Sequence, residues 1–473
     1  MSDAPVISVS DIVAFERPVT FRMPFRFGAA KVEGTSQAFV RLRVTDRAGR
    51  SAIGWSAEMM MPKWFDKSPD LSAADNIEQL RQSVRIAMAG MAAAGSGTAF
   101  GLHAGLEAAH HAACAAAGLN GLIASFGLAL LDRAVIDALC RLEEIPAAVA
   151  VRENRLGVTA ATAPDLEGFD LAAFLVARPS APSIAIRHTV GLGDVLTDGE
   201  LETPLGDGLP ETLEQVIARN GHRWFKIKVS GQPEADVARL VRIATVLGRR
   251  APDYAVTMDG NEQCAGPEVV IELLDRIAAE PRLATFASRI SFLEQPIARA
   301  TALGTPMHAV AARIGLEIDE SDADMAAFPT ATKLGYTGIS SKSCKGFYRA
   351  LLNAARVAKL NADGGWFFMS AEDLTTQAGI GIQQDLVLAS LVGASHIERN
   401  GHHYVDGMAS APGGERTAFL ARHGDLYANA NGNARLAIRD GSVALGSVLG
   451  AVGLGSAVEP DWSGMSELAG VHA

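Results

Sequence analysis

Cysteine is scarce in this chain, and its pattern excludes two chemistries. Cys114, Cys140, Cys264 and Cys344 are its four cysteines, and none stands in a CxxC spacing. Thiolate zinc sites and dithiol redox motifs are therefore absent, and buried free thiols in a reducing cytoplasm are expected. Basic charge is also short: 42 Lys and Arg face 53 Asp and Glu, a net charge of −11. That balance argues against a nucleic-acid partner. No apolar run is long and unbroken. The stretch 86–117 is interrupted by glycines and the His110-His111 pair, and 119–140 by Asp132, Arg133 and Asp137. Neither reads as a membrane span, so no membrane partner is expected. Residues 1–19 carry Asp3, Asp11 and Glu16 without an apolar core, so no signal peptide is read there. No GxGxxG or GxxxxGK[ST] follows a predicted strand, which removes the usual phosphate-cradling loops.

What is present is a chain of 473 residues, 48% hydrophobic and 20% charged, enough for one large globular domain and a smaller one. Alternating residues at 37–45 predict a strand that turns at Asp46-Arg47-Ala48-Gly49 into a partner ending near Glu58. Segments 21–28 and 58–65 contain proline, methionine and aromatics. They fit either core packing or loops closing over a ligand, and Arg22, Arg26 and Lys31 hint at an anionic or polar distal group there. From 75 to 141 the pattern is helical, with Leu128, Leu131, Ala134, Val135 and Leu139 on one face. Residues 143–182 carry no chemistry. From 183 onward, strands are predicted at 183–187, 224–229, 254–258, 290–293, 314–318, 338–341, 366–369 and 394–397. Helices lie between them, as at 233–247, 267–279 and 346–360. Eight such units predict an α/β fold closed as a TIM-like barrel. The tail reads as a hairpin over 434–445 turning at Asp440-Gly441, packed back on the N-terminal strands. The expected division is an α+β capping domain at 1–150, the barrel at 151–404, and 405–473 returning to a discontinuous cap.

Four signatures sit at predicted strand ends, roughly one strand-helix unit apart. They are Lys226-Ile227-Lys228, Asp259-Gly260-Asn261, Glu294-Gln295-Pro296 and Asp319-Glu320-Ser321, with Lys342 beyond. Loops at the carboxyl ends of barrel strands build the site. Alternation sends Lys226 and Lys228 to one side, where proximity and burial are expected to lower both pKa values toward a neutral base. One carboxylate after a strand is ordinarily a helix cap. Three in successive units would repel one another and call for a cation, and oxygen ligation alone selects magnesium, or manganese, over zinc.

Taken jointly, these motifs resemble the enolase superfamily, in its mandelate racemase and muconate lactonizing enzyme branch. The Ala129-Leu130-Leu131-Asp132-Arg133 helix and the Leu436-Ala437-Ile438-Arg439-Asp440-Gly441 element belong to the same likeness. The resemblance implies metal ligation by Asp259, Glu294 and Asp319. It also implies Lys228 as base with Lys226 in support, Lys342 as the opposing base, and Asn261 and Glu320 around the ligands. The implied reaction removes a proton α to the carboxylate of a small substrate through an enediolate. Racemisation, epimerisation or cycloisomerisation follows, or alternatively dehydration of a hydroxy acid or acid sugar. The family's habit also implies a homo-oligomer. The sixth-strand segment lacks the family's glycine pair, which makes Lys345 a rival to Lys342. Strand seven ends in Glu372-Asp373 without a histidine, which favours a lysine-lysine, muconate lactonizing-type site. Glu372 and Asp373 each read as an acid or a substrate contact, or as a helix cap before Leu374. His188, His402 and His403 are open between site and surface. Two other readings compete: an idle binding or scaffold member, and a zinc hydrolase, which would need an HxH pair that 186–189 does not supply.

Overall fold

Apolar alternation builds three long antiparallel strands at the start of the chain, Ile7–Phe27, Ala30–Asp46 and Ser51–Met59. The computed structural model describes residues 4–27 and 30–471. Residues 21–27 belong to the first strand rather than to a loop. The register shifts between Thr20 and Phe25, so this end still departs from regular pairing. The side chains of Arg26 and Lys31, like Gly28 as a whole, lie outside the described residues. In 58–65, Met59, Met60, Met61, Trp64 and Phe65 are all buried, as packing requires, and Trp64 also faces the barrel mouth, where the Lys342 ammonium lies over its ring. Ser466–Val471 pairs antiparallel with Ile7–Phe27, which returns the end of the chain to the capping sheet.

Helices Ala73–Ala93, Ala99–Ala116 and Gly121–Leu142 complete the cap. Gly121–Leu142 is buried along nearly its whole length and starts at Asn120, whose side chain accepts from the Ile123 amide. It can lie directly on the sheet because Gly54 has no side chain: a Cβ there would sit 2.2 Å from the Ala138 nitrogen. Its charges each have a partner on a neighbouring element, as burial requires. Arg133 binds Glu58 at 3.0 Å, and Asp137 accepts from the Trp55 and Leu454 amides at 3.0 and 2.7 Å.

His111, on Ala99–Ala116, supplies a pH test of this cap. Burial, with Arg349 and His110 adding positive charge, lowers its pKa from 6.5 to about 4. The folded state thus holds it neutral while the unfolded chain protonates it. The associated stability is complete above about pH 6.5 and is lost as pH falls from there toward 4. The loss is at most about 1.4 kcal/mol per pH unit. In urea unfolding at about pH 7.5 and about pH 5, His111→Gln should show a shallower decline than the wild type. Parallel declines would show that His111 is not the group responsible.

The eight predicted strand regions all form. Ser183–Val190, Trp224–Lys228, Ala255–Asp259, Ile290–Glu294, Gly315–Ile318, Gly338–Ser341, Phe368–Ala371 and His396–Glu398 pair in sequence, all parallel. The eighth closes on the first. The fold is a TIM-like α/β barrel with a capping domain. Outward residues such as Phe225, Ile227, Val256, Leu293 and Leu316 are buried under the helices. Pro233–Arg250 and Pro267–Ala279 both begin at proline, whose missing N–H costs nothing in a first turn.

The tail differs from expectation in one detail. Asp440 and Gly441 do turn the chain, with φ of 47° and 72°. Arg439 and Ser442 bridge antiparallel across the turn, but the strand that leaves it, Ser442–Ala444, pairs with barrel strand one and not back along 434–438. Barrel strand two pairs with strand one only from Arg187 onward, so 183–185 offers an open edge that this segment fills. The tail's hairpin is Tyr427–Ala430 with Asn433–Leu436. Among the described residues no helix is long and apolar enough to cross a membrane.

Candidate active site

Alternation that buries Ile227 outside the barrel aims Lys226 and Lys228 inside it. Register then aligns Lys228 with Asp259 and Asp259 with Glu294 on successive strands. The Lys226 ammonium lies 3.0 Å from Asp259, 2.7 Å from Glu294 and 3.0 Å from Glu398, and also binds Glu372. Lys228 bonds Asp259 and, at 2.8 Å, the Asn261 side-chain oxygen. Across the ring, Asp319 takes Lys342 on one oxygen. On the other it accepts from Ser340 at 2.6 Å, with Lys345 at 3.3 Å. The signatures therefore share one centre. Glu372 is part of it and caps no helix; the next helix begins at Ile380.

Three members of this centre escaped the sequence reading. Arg187 on strand one binds Glu372 and His396, the latter at 2.9 Å. Glu398 ends strand eight and accepts from Thr189 at 2.6 Å. Glu317 accepts from Ser370. The available signal was alternation, because Ile186, Leu316, Ile318 and Ile397 are apolar and face out.

The electrostatics correct one expectation. Burial works against the charge on Lys226, but Asp259, Glu294, Glu372 and Glu398 together hold its pKa well above the ordinary lysine value. The expected lowering fails there because its near neighbours are anions, not just Lys228. Lys342 behaves alike: burial opposes its charge, while Asp319 and Glu372 carry it well up. Burial also opposes ionisation of Asp319, yet Lys342 and Lys345 keep it well below the carboxylate range. Glu294 goes the other way, pushed well up by burial and by Asp259 and Glu372. Glu317 rises to about 8 through burial and Glu372.

Glu294 is also the best indicator of a cation. Both of its oxygens are buried; Oε1 makes no hydrogen bond and Oε2 has only the Lys226 ammonium, at 2.7 Å. Oxygens of Glu294, Asp319 and Glu372 lie within 4.8 Å of one another. A buried oxygen-only set of like charges fits a hard divalent ion. Asp259 is not one of the three; it stands 3.0 Å from the Lys226 ammonium that also contacts Glu294 and Glu372.

The rim is braced from several loops. The Gln295 side chain accepts from the Asp319 and Ser321 amides at 2.9 and 3.1 Å, tying strand four to the loop after strand five. Asn261 donates to Glu320 at 3.1 Å. Lys67 of the cap reaches Glu320 and the Asn261 carbonyl at 3.3 and 3.0 Å. Arg22 is held by Asp207 at 2.7 Å. A chamber of about 20 Å³ is walled by Lys226, Lys228, Asp319, Lys342, Phe25 and Trp64. Lys345 is not on that wall. Phe25, Lys228 and Asn261 also border a cavity of about 1160 Å³, which His403 and Tyr404 line as well. His188 and His402 turn away from the charged centre and pack against His222.

No family model matches the chain, and no curated protein sequence matches it. Solved structures do. A mandelate racemase/muconate lactonizing protein from Herpetosiphon aurantiacus is 16% identical, with a TM-score of 0.59 over 96% of this chain and 99% of that one. The dipeptide epimerase of Enterococcus faecalis, solved with Mg and L-Leu-L-Tyr, is 15% identical. Its TM-score is 0.59 over 97% of this chain and 99% of its own. An enolase from Bradyrhizobium, solved with magnesium and mandelic acid, is 18% identical, with a TM-score of 0.56 over 96% of each chain. At these identities the likeness is one of fold.

Proposed function

We propose that this chain is an enzyme that removes the proton α to the carboxylate of a small substrate, in a metal-dependent reaction through an enediolate. Return of the proton then gives racemisation or epimerisation, or the intermediate closes in a cycloisomerisation. One observation carries the reading. Lys228 and Lys342 wall a single chamber from strands two and six, which stand opposite one another in an eight-strand ring. A carbon held between them has a base on each face.

In this reading Asp259, Glu294 and Asp319 hold Mg2+, or Mn2+, with Glu372 beside them. The ion when bound supplies Lewis-acid charge to the substrate carboxylate and offsets the anionic field around the lysines. Lys228 takes the proton, oriented by Asn261 and Asp259. Lys226 stays cationic among its carboxylates and lowers the cost of charge developing on the substrate. Lys342 is the opposing base; Lys345 acts through Asp319 as a positioning residue. Glu320 and Asn261 keep the rim in register. The chamber now has room for about one water, so a substrate group enters as the Lys226, Lys342, Phe25 and Trp64 side chains give way. The dipeptide and mandelate seen in fold neighbours support a small carboxylate as the substrate class.

The test is α-proton exchange in deuterated water, run with Mg2+ against a panel of carboxylates. Exchange with at least one class is expected, falling by at least about a hundredfold on chelation of the metal. If Mg2+-loaded protein exchanges none of them, a binding or scaffold role replaces this one.

A further inference from the structure

The barrel seam carries a second constellation that the proposed reaction does not use. His188 lies on strand one, His222 just before strand two, and His402 on the short helix Gly401–Tyr404 after strand eight. One ring nitrogen from each lies within 4.8 Å of the others. We propose that His188, His222 and His402 form a second cation site, which takes a borderline transition-metal ion such as Zn2+.

The nitrogens are placed for it. His188 Nδ1 is buried without a hydrogen bond, and its residue is only 3% exposed. Both His402 ring nitrogens are buried and make no well-formed hydrogen bond. The His222 Nδ1 lies 3.2 Å from the Ile186 carbonyl and donates to it, so Nε2 is the acceptor; it now takes the Asn220 side-chain amide at 3.3 Å, a long bond that a metal ion would displace. Outer-shell carbonyls orient metal-binding imidazoles in this way. Zn–N bonds of about 2.0–2.1 Å place tetrahedral ligands roughly 3.4 Å apart, so ring rotations of about an ångström complete the set.

The chemistry separates this site from the barrel mouth. Imidazole nitrogen favours zinc and its neighbours, whereas the carboxylates favour magnesium. The nearby Arg399 is neutralised by Asp373 and Asp385. A cavity of about 240 Å³ bordered by His402 and Asn220 gives an ion a way in. The location also gives it an effect. Strand eight pairs with strand one over only three residues, so an ion here would pin the seam that closes the barrel.

The full chain, saturated with Mg2+, would be dialysed against Zn2+ for elemental analysis and titrated with Co2+ for its visible spectrum. One Zn2+ per chain is expected, with a Co2+ band typical of tetrahedral nitrogen ligation and an upward shift of the thermal midpoint. His188→Asn and His402→Gln should each weaken Zn2+ binding by at least about a hundredfold. Glu294→Gln should leave the band in place. Unchanged binding in a folded His402→Gln, where the replaced ring is half-buried on the short helix Gly401–Tyr404 and gives up no well-formed hydrogen bond, would overturn the proposal even if His188→Asn fails to fold. Loss of the band in Glu294→Gln alone would assign the ion to the barrel mouth and overturn it equally.

Discussion

Lys228→Met should lower α-proton exchange by about 10²- to 10⁴-fold, the range over which a positioned general base acts. The fold should survive, because Asp259 keeps Lys226 at 3.0 Å and is not left as a lone buried charge. Lys342→Met gives the sharper result. With opposed bases, each enantiomer presents its proton to one lysine. The variant should still exchange the enantiomer that faces Lys228 while interconversion of the two is lost. Lys345→Met, acting through Asp319, should instead slow both enantiomers together. Proton NMR in deuterated water, run on each enantiomer separately, distinguishes these outcomes. Equal slowing of both enantiomers by Lys342→Met would remove the two-base geometry.

Arg187→Met is expected to destabilise the fold by about 3–5 kcal/mol, the usual cost of stranding one partner of a buried ion pair. Arg187 is fully buried in the barrel. Burial works against its charge, and Glu372, Glu398, Glu294 and Glu317 more than offset this, raising its pKa. Removing it leaves Glu372 with Lys226 and Lys342 but opposes Glu317, already displaced upward, with one cation fewer. A double-mutant cycle with Glu372→Gln tests this account by urea unfolding. The pair should be less destabilised than the two single changes combined, since Glu372→Gln removes the anion that Arg187 pairs with and the like charge that presses on Glu317. Simple additivity would mean that Arg187 contributes by packing alone.

Much of the site was legible locally. Each signature follows a short apolar run, and the period of two in a strand separates Ile227 from the two lysines beside it. The same rule was available for Arg187, Glu317 and Glu398. Alternation alone does not pick them out, because a charged residue at the end of a short strand is as compatible with a solvated edge as with a barrel interior. Lys345 and Lys342 could not be ranked in one dimension. Their spacing of three residues says nothing about which one meets the chamber. The turn at Asp440-Gly441 was legible too, but its strand partner was not, since that depended on an edge left open at Ser183–Ala185, far earlier in the chain.

Periodicity and strand-end chemistry are properties of neighbours along the chain, and they sufficed for the barrel, its cap and the residues that crowd its mouth. Charge is different. The state of Lys226 depends on carboxylates from strands three, four, seven and eight, brought within 3 Å only when strand eight closes on strand one. Closure turned an expected depressed base into a strongly held cation and set Lys228 and Lys342 face to face. It also gathered His188, His222 and His402 from distant parts of the chain. A Coulomb field and a ring of ligands are sums over neighbours in space, and those neighbours exist only once the ring is shut.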